Sequence, residues 1–281
     1  FAYRLPSALL GIASVYLLYL LAKKLFSEKI GILAAALLAI NTNHIYVSRL
    51  GLQEAYVIFF ILLILYFFIL SKEQSKYWWY FGAAFGLGLL AKYTTLIVVL
   101  IILTYILIFD RTVFKNKRFY QSLIISFILF LPVLIYNLKL FQATGHFDFQ
   151  ISYILGKVPA VWSVAPGKEI GTLANRLSQF FPNLLSTYFY GFLALSIISI
   201  IYLLFTIKKG QVLAKVFILL SLFYFILLLI KIGPSYRFLT MLSPFLVLVV
   251  AVALGNLKKN IVMVIFSVFM LAEFLYIGNT Y

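Results

Sequence analysis

The chain of 281 residues contains no cysteine, three methionines and only seven acidic residues, set against 23 lysines and arginines. Without cysteine there is neither a disulfide framework nor a thiolate metal site. Charge of either sign is scarce, at 11% of residues, whereas soluble domains run near 25%. Apolar residues make up 65% of the chain and the mean hydropathy is +1.10, which places the chain in the membrane. The net charge of +16 forms no basic face or run but sits in short gaps between apolar segments, the pattern of topology signals, and excludes a nucleic-acid partner. The chain opens on Phe1-Ala2-Tyr3-Arg4 with neither an initiator methionine nor a signal peptide, and so reads as an internal fragment with sequence missing upstream.

Long hydrophobic runs are what the chain has in abundance. Crossing about 30 Å of hydrocarbon takes roughly 20 apolar residues, and candidate spans fall at 5–22, 30–47, 55–70, 78–90, 93–109, 120–138, 184–206, 216–230, 238–255 and 261–279. In lipid each must be helical, because every backbone group needs an internal partner. The expected fold is therefore all-α, a single polytopic transmembrane bundle over 1–281 with about ten membrane helices. Residues 78–109 as one helix would run roughly 48 Å at 1.5 Å per residue, with Lys92 stranded near the middle. Two short helices meeting near Lys92 are expected instead.

Alternate gaps divide the cations unevenly. The gaps at 23–29, 72–76, 111–118, 208–215 and 258–259 hold fourteen lysines and arginines. The remaining nine are Arg4, Arg49, Lys92, Lys139, Lys157, Lys168, Arg176, Lys231 and Arg237. By the positive-inside rule the side with fourteen is cytoplasmic.

The short-gap cations on the other side are disfavoured there and need a reason. Arg4, Arg49, Lys92, Lys231 and Arg237 all fall at outer helix ends, where a closed bundle would gather them around one outward-facing cavity. Clustered Arg and Lys in a partly dehydrated site is how proteins hold phosphate; the plainer reading is that each reaches separately for lipid headgroups. Glu54 is the one acid at a tight outer helix end, in the stretch HIYVSRLGLQEAY (44–56). It could pair with Arg49 and favour the start of the next helix, or act on substrate as a base or orienting group. Glu273 reads as a helix-packing residue or as a product of truncation. His44 reads as a structural histidine or as a substrate contact; a metal held by His44, Glu54 and His146 has no motif spacing to support it. The gap 139–183 is the one long outer segment, an extracytoplasmic loop that acts as lid, acceptor platform or plain cap. Its stretch TLANRLSQFFPNLL (172–185) reads as an interfacial amphipathic helix with Arg176 on the polar side, and FDFQISYIL (147–155) and VPAVWSV (158–164) supply aromatic and apolar groups.

Three stretches in order, RLPSALLGIASVYLLYLLAKKLF (4–26), GILAAALLAINTNHIYVSRLGLQEAYVIFF (31–60) and FGLGLLAKYTTLIVVL (85–100), resemble the polytopic GT-C glycosyltransferases of the dolichyl-phosphate-mannose protein mannosyltransferase and aminoarabinose transferase type. PSYRFLTMLSPFLVLVVAVAL (234–254) resembles a later helix start of the same family. The resemblance implies a GT-C-like membrane enzyme of the cell envelope. Such an enzyme transfers a sugar, with inversion, from a polyprenyl-phosphate donor to a protein, lipid or glycan acceptor on the extracytoplasmic side. Arg49, Lys92 and Arg237 match positions where the family places basic residues, Arg4 begins the matching RLPS stretch, and Glu54 falls where relatives often carry an acid. With His44 added from its position, Arg4, His44, Arg49, Lys92 and Arg237 are the expected substrate contacts and Glu54 the expected catalytic residue. No cofactor is certain; a divalent metal is an open possibility. The family's principal acidic residue lies in a first outer loop ahead of the matched region, so the chain as read lacks it. Two rivals stand beside this expectation: a transporter or flippase escorting an anionic lipid-linked substrate, and a noncatalytic membrane subunit.

Overall fold

A computed structural model describes residues 4–155, 172–206 and 212–280, and every regular element among them is a helix. The chain enters as α1 (Leu5–Leu25), turns at Ser27 and returns as α2 (Glu28–Ile40) and α3 (Thr42–Arg49). It then crosses as α4 (Gln53–Ser71), α5 (Tyr77–Ala91) and α6 (Ile97–Phe109), and continues into the long α7 (Lys117–Thr144) and the short α8 (Phe149–Ile154). The remainder is α9 (Leu173–Thr187), α10 (Tyr190–Phe205), α11 (Val212–Ile232), α12 (Tyr236–Leu239), α13 (Ser243–Gly255) and α14 (Lys259–Thr280).

Capping side chains decide where uniformly apolar sequence breaks. Ser27 accepts from the Ile30 N–H to start α2, Asn41 accepts from the His44 N–H to start α3, and Asn116 accepts from the Arg118 N–H to start α7. These breaks refine the approximate count of ten. Among the described residues, five helices are long and apolar enough to cross a membrane, or up to seven if each bent pair is one span. The run 30–47 is bent by 60° at Asn41, where the polar cap interrupts the hydrocarbon pattern. The expected span 184–206 begins too early: α9 and α10 meet at 115°, and residues 184–187 belong to α9. The stretch TLANRLSQFFPNLL does form a helix, α9, capped by Thr172; VPAVWSV, Lys157 and Lys168 lie outside the described residues. The expected break in 78–109 is present, with Lys92 in extended conformation (φ −169°, ψ 137°) between α5 and a 3-10 turn.

Packing grades from inside to outside. In the segment Tyr236–Gly255, from α12 through α13, 83% of the apolar window is buried, against 11% in α7, so this segment is the hub and α7 faces lipid. Apolar contact gains little between helices already in hydrocarbon, and close approach of small residues takes its place. Gly82 and Gly86 of α5 supply this: a Cβ at Gly82 would collide with the Ser122 carbonyl oxygen, and one at Gly86 would stand 2.7 Å from the Leu129 Cβ. Ser126 Oγ donates to the Gly82 carbonyl at 2.8 Å across the same α5–α7 seam.

The chain alternates between two ends. Lys24–Glu73, Lys72–Asp110 and Lys29 with the Gly255 carbonyl meet at one end. Ser7 with the Val47 carbonyl, Tyr236 with Asn43, and Lys92 with Glu54 meet at the other.

Candidate active site

The second end is built from turns that need glycine. Gly51 (φ 71°) lets the chain reverse between Arg49 and Glu54, and Gly233 (φ 97°) lets it turn between Lys231 and Arg237. Each turn starts a helix carrying a charged group in its first residues.

Glu54 lies in the first turn of α4, where the helix dipole favours an anion, and Lys92 caps the C-terminus of α5, where it favours a cation. Lys92 Nζ donates to Glu54 Oε1 at 2.6 Å. Arg237 Nε and Nη2 donate to the same oxygen at 3.2 and 3.1 Å. Phe238 lies against both cations, 4.6 Å from Lys92 Nζ and 5.4 Å from Arg237 Cζ. Tyr236 anchors α12 by donating to Asn43 Oδ1 at 3.0 Å and meeting Tyr46 edge-on at 5.2 Å. The side chain of Glu54 is fully buried and that of Lys92 7% exposed, whereas Arg237 is 47% exposed. One carboxylate therefore serves two cations, and the positive charge in excess reaches the surface through Arg237. Glu54 Oε2 is buried without a hydrogen-bond partner among the described residues; an unpaired buried acceptor costs about 1–3 kcal/mol.

The other expected site residues divide. Arg4 precedes α1 and Arg49 ends α3; both are exposed, and neither side chain makes a hydrogen bond or ion pair among the described residues. The contact from Ser7 to the Val47 carbonyl, 3.2 Å, sets their two helix ends side by side. The expected Glu54–Arg49 pair does not form, since the partners of Glu54 are Lys92 and Arg237. His44 is buried in the α1–α3 seam, its Nε2 3.1 Å from the Gly11 carbonyl oxygen, and no hydrogen bond joins it to the Glu54 cluster. At Lys231 the backbone carbonyl accepts a hydrogen bond from Arg176 Nη1 of α9. Glu273 is a packing residue, buried and accepting from the Thr42 N–H (3.2 Å) and hydroxyl at the start of α3.

Beside Lys92 lies a cluster that sequence reasoning left without a role. Asp148 Oδ2 accepts from the Tyr93 hydroxyl at 2.6 Å and from Asn137 Nδ2 at 2.9 Å, and its Oδ1 accepts from the Ile151 N–H at 2.8 Å. Burial raises the Asp148 carboxyl, but these donors outweigh it and hold the group below the ordinary carboxylate value. The available signal was an acid in an outer gap eleven residues after an asparagine at the outer end of the preceding apolar run.

No three His, Asp or Glu side chains gather as a metal site among the described residues. His44, Glu54 and His146 are not brought together, and two cations against Glu54 disfavour a divalent ion there.

Residues 1–136, just under half of the chain, match the family model described as dolichyl-phosphate-mannose-protein mannosyltransferase. No curated protein sequence matches. Among solved structures, the chain is similar to apo ArnT from Cupriavidus metallidurans, with TM-score 0.57 and 12% identity over 91% of this chain and 45% of that one. It is also similar to the Archaeoglobus fulgidus oligosaccharyltransferase tethered with an acceptor peptide, with TM-score 0.60 and 16% identity over 96% and 42%. The same oligosaccharyltransferase in complex with Zn and sulfate gives TM-score 0.59 and 15% identity over 99% and 40%. The chain thus spans less than half the length of each of these structures. The GT-C-like membrane bundle expected from the sequence is the fold observed.

Proposed function

We propose that this bundle serves a membrane glycosyltransferase that moves a sugar from a polyprenyl-phosphate-linked donor to a protein, lipid or glycan acceptor. The acceptor oxygen or nitrogen attacks the anomeric carbon, the carbon–oxygen bond to phosphate breaks with inversion, and the carrier leaves as a phosphate with added negative charge. Preorganised cations at that oxygen are the main source of acceleration open to such a site. The observation that carries the reading is the Glu54–Lys92–Arg237 cluster, which holds one cation in excess at an end that also displays Arg4 and Arg49, their side chains without a partner among the described residues. The family model and the fold similarity support the same class of reaction.

In this reading Arg237, Lys92 and Arg49 hold the phosphate, and Arg4 extends the basic rim. Glu54 contributes by fixing both cations, its Oε1 accepting from Lys92 and from Arg237, and the acceptor's proton passes to a carboxylate base of the whole enzyme. His44 supports the α1–α3 seam behind the site. The distribution of charge between gaps favours a cell-membrane protein with this end on the extracytoplasmic side.

The test uses Arg49→Ala and Lys92→Ala in the full-length protein, with transfer from a polyprenyl-phosphate sugar as the readout. Each is expected to lower kcat/KM by about 10²-fold or more, Arg49→Ala without loss of fold because the residue is exposed. Unchanged turnover in both variants would sink the assignment.

A further inference from the structure

At the opposite end of the bundle, α5, α6 and α7 enclose an apolar cavity of about 370 Å³, lined by Phe85, Val99, Leu103, Phe114, Tyr120 and Leu123 among others. That volume is within the range of specific ligand pockets, about 300–1,000 Å³. Val99, Leu103, Tyr120 and Leu123 are exposed, so the cavity opens sideways between α6 and α7 onto the hydrocarbon. Water has no place in such a mouth, and whatever fills it comes from the bilayer.

The rim is cationic from both walls. Arg111 folds back so that its Nε donates to the Leu107 carbonyl at 2.8 Å, which sets the guanidinium at the foot of the Leu103–Leu107 row of α6. Lys117 stands one turn before Tyr120 on α7, on the same helix face. Lys115 and Arg118 are exposed beside them. The acid of this connection, Asp110, is already occupied: Lys72 Nζ lies 2.6 Å from its Oδ2, and the Thr112 hydroxyl donates to Oδ1. Beside the slot the rim therefore offers positive charge with no acid partner among the described residues.

We propose that this slot is a binding site for an anionic phospholipid of the surrounding leaflet, with an acyl chain between α6 and α7 and the phosphate between Arg111 and Lys117. The site is separate from the Glu54 cluster and does not depend on the glycosyltransferase reading. Topology alone explains cations in this gap, but it does not predict selection of one lipid over another.

The experiment is native mass spectrometry of the purified chain released from micelles doped with phosphatidylglycerol or phosphatidylcholine of identical acyl chains. Wild-type protein is expected to retain phosphatidylglycerol about tenfold over phosphatidylcholine, as two surface cations at about 1 kcal/mol each allow. The double variant Arg111→Ala/Lys117→Ala should bring the two lipids to parity with its helix content and thermal unfolding unchanged. Leu103→Trp should lose both lipids, and Val99→Phe is the second filling variant if Leu103→Trp does not fold. Equal retention by the wild type, or a preference that survives in the double variant, overturns the proposal. Displacement of phosphatidylglycerol by an equimolar polyprenyl phosphate also overturns it, assigning the slot to a carrier chain instead.

Discussion

At one end of the bundle Lys23 faces Glu28, Lys24 faces Glu73 and Lys72 faces Asp110, each cation with its own acid and with side chains that reach the surface. At the other, Glu54 stands fully buried between Lys92 and Arg237. Exposed pairs of the first kind contribute about 0–1 kcal/mol, and their loss is absorbed by solvent and headgroups. A buried charge has no such refuge, and breaking its pairing costs about 3–5 kcal/mol. Retaining so costly an arrangement, with one positive charge beyond balance, is what separates a site from a topology signal.

The sharpest way to break this comparison is Glu54→Gln. It leaves Lys92 buried beside Arg237 with no anion, so a loss of about 3–5 kcal/mol is expected in thermal or denaturant unfolding in detergent, together with loss of sugar transfer. Stability equal to wild type would place the two ends in one class. Asp148 offers an intermediate case, an acid held by neutral donors rather than by cations. Its folded carboxyl lies below the ordinary value, so its contribution is fully present above about pH 4 and is lost as pH falls through the folded value. Asp148→Asn should cost about 1 kcal/mol at neutral pH and flatten that acid step in melting profiles from pH 7 to pH 3; an unchanged step would assign it elsewhere. The smallest effect belongs to Glu73→Gln, expected to change unfolding by under about 1 kcal/mol and to leave transfer intact. A larger shift would show that the first end is structural after all.

Much of this was legible in the sequence, and for particular reasons. A cation where the positive-inside rule disfavours one is conspicuous against hydrocarbon, which is how Lys92 and Arg237 stood out before any fold was known. Pairing was less legible. The guess that joined Glu54 to Arg49, five residues away, failed because the Gly51 turn sends them apart, while Arg237 arrives from 183 residues further along. Two expected runs are not straight, bending at Asn41 and at residues 188–189, because hydropathy registers composition and is blind to a bend. Asp148 escaped because an acid in a gap reads as solvated until Asn137 and Tyr93 are seen to converge on it.

The order in which the three charged residues are synthesised has a consequence for biogenesis. Glu54 and Lys92 lie 38 residues apart and form a neutral pair by themselves, so α4 and α5 can enter the bilayer without net buried charge. Arg237 emerges only with the last third of the chain. The Glu54–Lys92 pair is therefore neutral in the nascent protein, and the cluster gains its excess positive charge only when α12 docks.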